Sequence, residues 1–106
     1  MRVLFDQGTP APLRHLLAGH EVSTAYDLGW STLKNGELLA AAERQRFDVL
    51  VTTDSRLKYQ QNLGARSIAI VVIGTTSWPR IRAAAQGVVA AVDGSAPGTY
   101  AEVAIP

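Results

Sequence analysis

Residues 68–73, IAIVVI, are six consecutive apolar side chains, five of them β-branched. A run this short and this uniform reads as a strand buried on both faces, which requires helices above and below the sheet. Three further short runs fit the same pattern. Residues 2–5 end at Asp6, residues 48–53 (DVLVTT) run into Asp54, and residues 21–25 are β-rich. Residues 100–105 predict a last edge strand, bounded by Pro97 and Pro106.

Helical signals separate these strands. Thr9-Pro10 predicts a cap and a first-turn proline for a helix with Leu13, Leu16 and Leu17 inward, stopped by Gly19. Asn35 predicts the cap of a second helix through about Gln45, with Leu38, Leu39 and Ala42 inward. Residues 27–34 read as a loop, and residues 55–63 as a short helix or turn. Ser77 predicts the cap of one helix ending at Gly94, with a stripe of Ile81, Ala84, Ala85, Val88 and Val92. Alternating strands and helices predict an α/β fold with a mainly parallel sheet. The 106 residues fit a single domain, 1–106.

Composition narrows the function classes. There is no cysteine, so disulfides and thiolate metal sites are excluded. No apolar run approaches the about 18 residues of a membrane span, and the opening MRVLFDQG is too quickly polar for a signal peptide, which predicts a cytoplasmic chain. Residues 1–54 carry five Lys/Arg and seven Asp/Glu, whereas residues 55–106 carry five and two. That asymmetry suits a site that holds a cation and receives a phosphodiester, although surface scatter produces it equally well.

In parallel sheets ligands bind beyond the carboxyl ends of the strands, where strand order reverses. The first and third strands are natural neighbours there, so Asp6 and Asp54 are expected to face one another. Two adjacent carboxylates need a shared proton, a basic neighbour or a divalent cation. Glu37, in the first turn of the second helix, is within reach of the same crevice, though the helix dipole alone favours an acid there. Thr52, Thr53 and Ser55 flank Asp54 as orienting or phosphate-binding groups; threonine in a strand also needs no special reason. Asn62 is a further polar candidate. His15 and His20 lack a partner at ligand spacing, Ser31 and Thr32 have no base beside them, and the segment from Gly74 to Ser77 precedes a helix without the pattern of a P-loop.

The opening VLFDQGTP, the central LKNGELLAAAERQRFDVLVTTD and the strand IAIVVI together resemble the compact bacterial PIN-like domains, relatives of the VapC-type toxin ribonucleases. The resemblance implies a three-layer α/β/α sandwich and a Mg²⁺- or Mn²⁺-dependent ribonuclease site. By that resemblance Asp6, Glu37 and Asp54 would be its catalytic metal ligands; apart from it, Arg56, Lys58 and Thr53, just around Asp54, are the available RNA contacts, with Arg80 and Arg82 as further cations. The resemblance also implies an antitoxin partner and a homodimer, for which Trp30 and Trp78 offer large apolar side chains; core packing explains these equally well. Three positions depart from the pattern: Gln7, Asn35 and Arg56 stand where acids are common. A catalytically degenerate module that binds RNA or a protein is therefore the alternative. A phospho-acceptor receiver domain also places Asp6, Asp54 and Thr75 or Thr76 suitably. It needs a lysine after the fifth strand, and the two lysines, Lys34 and Lys58, come too early.

Overall fold

Residues 1–57 and 66–106 are described in the computed structural model of this chain. Five strands, β1 (Arg2–Phe5), β2 (Glu21–Thr24), β3 (Val49–Thr52), β4 (Ala69–Val72) and β5 (Tyr100–Glu102), form one sheet. Their spatial order is β2-β1-β3-β4-β5, and every pairing is parallel. This is one of the common doubly wound orders, and its switch point lies between β1 and β3. The register sets Phe5 opposite Val51, which carries Asp6 and Asp54 to the same edge of the sheet.

Alternation along the strands divides the core in two. Val3, Phe5, Val49, Val51 and Val71 point to one face, under Leu13, Leu17, Ile81, Val88 and Val92. Leu4, Leu50, Ile70 and Val72 point to the other, under Leu38, Leu39, Ala42 and Phe47 of and after helix α1 (Asn35–Arg44). Both faces are covered, so β3 and β4 are buried throughout and the three-layer α/β/α architecture follows from the continuous apolar runs. No helix among the described residues is long and apolar enough to cross a membrane.

Three local expectations are corrected. The first helix is a 3₁₀ segment, Ala11–Leu16, held by i→i+3 bonds such as Leu13 N to Pro10 O at 3.1 Å. Pro12 has no N–H to donate, and the Thr9 hydroxyl that would cap an α-helix is turned to Asp6 instead. The C-terminal helix is two helices, α2 (Trp78–Ala83) and α3 (Ala85–Asp93), because Ala84 leaves helical geometry at φ −110° and ψ 21°. Helix α1 is capped from Lys34, which makes Asn35 its first residue rather than its cap. Trp30 and Trp78 are half-buried and pack on the two core clusters; Trp30 meets Phe47 edge to face at 6.2 Å.

Candidate site at the carboxyl edge of the sheet

Asp6 leaves β1 and closes a tight turn with Thr9. Its Oδ1 accepts from the Thr9 N–H at 3.1 Å and lies 2.6 Å from the Thr9 hydroxyl, whose proton is shared in reach with the Val51 carbonyl at 3.0 Å. The spacing Asp-x-x-Thr is an aspartate turn that the sequence carries openly. Asp6 Oδ2 accepts from the Thr52 hydroxyl at 2.5 Å. Thr52 is 1% exposed and its oxygen also accepts the Asp54 N–H at 3.1 Å. One buried hydroxyl thus links both aspartates.

Asp54 is held by different groups. The Asn35 side-chain amide donates to its Oδ2 at 2.8 Å, and the Arg56 N–H and Nε–H donate to its Oδ1 at 2.9 and 3.2 Å. The Asn35 bond, helped by the Arg56 backbone and guanidinium, outweighs partial burial and holds this carboxyl below its ordinary value.

Glu37 is elsewhere. It is exposed, and its carboxylate accepts from the Lys34 N–H at 3.3 Å, closing the first turn of its own helix. The residue of α1 that reaches Asp54 is Asn35. Among the described residues no three His, Asp or Glu side chains converge as a metal-binding group. Both carboxylates are already engaged by groups of the chain itself, Asp6 by Thr9 and Thr52 and Asp54 by Asn35 and Arg56, a donor set that satisfies them without a Mg²⁺ or Mn²⁺ ion.

The remaining candidates are distributed. Thr53 is half-buried beneath the turn after β1, where a Cβ at Gly8 would lie 2.6 Å from its Oγ1. Arg56 is beside Asp54 with 76% of its side chain exposed. Lys58 and Asn62 lie outside the described residues. Arg80 is engaged by the C-terminal carbonyls, with Nε donating to Pro106 O at 2.8 Å. Arg82 and His15 are exposed, and His20 sits 2.6 Å from an Asp93 carboxylate oxygen on the far side of the fold. Ser77 occupies the cap position of α2 without a side-chain cap bond.

An open cleft of about 510 Å³ adjoins Asp6 between the ends of β1 and β2, lined also by Thr9, Arg14, Thr24, Tyr26 and Thr76. Tyr26 and Arg14 were not among the residues expected at the site. An aromatic in a loop and an arginine in a helix carry no distinguishing sequence signal until the fold brings them together.

No family model, no curated protein and no solved structure matches this chain.

Proposed function

We propose that this chain is a PIN-like module that binds single-stranded RNA at the carboxyl edge of its sheet without hydrolysing it. The observation that carries this reading is the internal compensation of Asp54. An amide from Asn35 and a guanidinium from Arg56 supply the positive field that a divalent cation would otherwise supply. The Arg56 guanidinium faces Asp54 with Nε and one terminal nitrogen and is 76% exposed, so its remaining N–H donors are available to a phosphate while the pair is kept. Binding through such contacts is salt-dependent.

One observation favours a second reading, a Mg²⁺- or Mn²⁺-dependent ribonuclease: both aspartates flank the switch point and share the Thr52 hydroxyl. A single experiment separates the two. Labelled single-stranded RNA is incubated with the protein in EDTA, in Mg²⁺ and in Mn²⁺, with Asp6→Asn as control. The proposal predicts anisotropy-detected binding that persists in EDTA and intact RNA in every arm. Cleavage that requires the cation and disappears in Asp6→Asn establishes the ribonuclease instead.

A further inference from the structure

The cleft between the ends of β1 and β2 has a chemistry of its own. Tyr26 is 75% exposed on its lining, so its ring is open to a stacking partner. Asp6 contributes a carboxylate to the same cleft. Its Oδ1 is occupied by Thr9, but among the described residues Oδ2 takes a single donor, the Thr52 hydroxyl. A carboxylate oxygen accepts two hydrogen bonds, so Oδ2 retains one acceptor position.

Charge then decides what enters. Among the described residues Arg14 is the one cation on the lining and pairs with Asp27 at 3.5 Å, which leaves the Asp6 charge as the surplus. A negative cleft repels a phosphate and attracts an N–H donor.

From this juxtaposition we infer that the cleft takes one unpaired nucleobase bearing an exocyclic amino group, stacked on Tyr26 and donating to the Asp6 carboxylate. The inference rests on the RNA-binding reading and adds the subsite and its base preference. Tyrosine faces stack on any base, so Tyr26 supplies affinity. The carboxylate supplies discrimination, because cytosine and adenine present an amino donor and uracil does not.

The test measures anisotropy of cytidine, adenosine and uridine RNA octamers against the full chain in EDTA, with cytidine monophosphate as competitor. Cytidine and adenosine octamers are expected to bind about tenfold tighter than the uridine octamer, the scale of one hydrogen bond to a charged group. Tyr26→Ala should weaken the cytidine octamer about fivefold or more, and Tyr26→Phe should stay within about twofold of wild type. Asp6→Asn should erase the preference for amino-bearing bases; Tyr26, being exposed, can be varied without endangering the fold. If no octamer binds, the RNA-binding reading fails and this inference with it. If octamers bind with equal affinity, or Tyr26→Ala binds as wild type does, the subsite is wrong while the RNA-binding reading stands. If cytidine monophosphate binds as tightly as the octamer, the occupant is a free nucleotide and not a strand.

Discussion

The Thr52 hydroxyl donates to Asp6 Oδ2 at 2.5 Å, so a buried side chain on β3 holds a carboxylate at the end of β1. Thr52→Val keeps the shape and removes the donor to a charged acceptor, which corresponds to a loss of about 1.5–3 kcal/mol. Urea unfolding should show a lower midpoint with an unchanged slope, and Thr52→Ser should recover most of the loss. An unchanged midpoint in Thr52→Val would remove this contact from the account of stability.

The compensation of Asp54 has a pH signature. Its carboxyl is held below the ordinary value by Asn35 first and Arg56 second, against partial burial. A group depressed in the folded state contributes stability that is fully present above its unfolded pKa and is lost as pH falls through the folded value. Wild-type stability from urea titrations should therefore decline below the ordinary aspartate range, and Asp54→Asn should flatten part of that decline. A decline of the same size in both proteins would contradict the assignment.

Gly8 is required by proximity. A methyl group at this position would sit 2.6 Å from Thr53 Oγ1. Gly8→Ala is expected to destabilise by about 1–3 kcal/mol, the range for overpacking. Thr53→Ala removes the obstructing oxygen, so the double variant should regain most of that loss in a double-mutant cycle. Additive losses would show that the strain lies in the backbone instead.

Arg46 adopts φ 60°, the left-handed conformation just after the last residues of α1. This conformation strains any residue with a Cβ, and glycine is the usual occupant of a helix end of this kind. Its backbone N–H bonds to Glu43 O at 3.0 Å and its side chain is exposed. Arg46→Gly should therefore raise stability by up to about 1 kcal/mol, seen as a higher thermal midpoint.

Much of this architecture was legible in the chain alone. A strand buried on both faces must be apolar at every position, and residues 68–73 announce this without reference to anything else. The same pattern, with helical signals between, carries the α/β class, four of the strand positions to within a residue or so, and the ends where Asp6 and Asp54 stand. What the residues around those ends do was decided in three dimensions. Placing the start of α1 one residue earlier turned Asn35 from a cap into a side-chain donor for Asp54. Asn35 and Glu37 are about 200° apart around a helix, so they cannot both face the crevice. The 3₁₀ segment and the break at Ala84 likewise arose from where neighbouring groups had to go, as with Thr9 committed to Asp6. Periodicity reports which side chains are buried; which polar group meets which depends on a rotation of one residue, and only the packed structure sets that rotation.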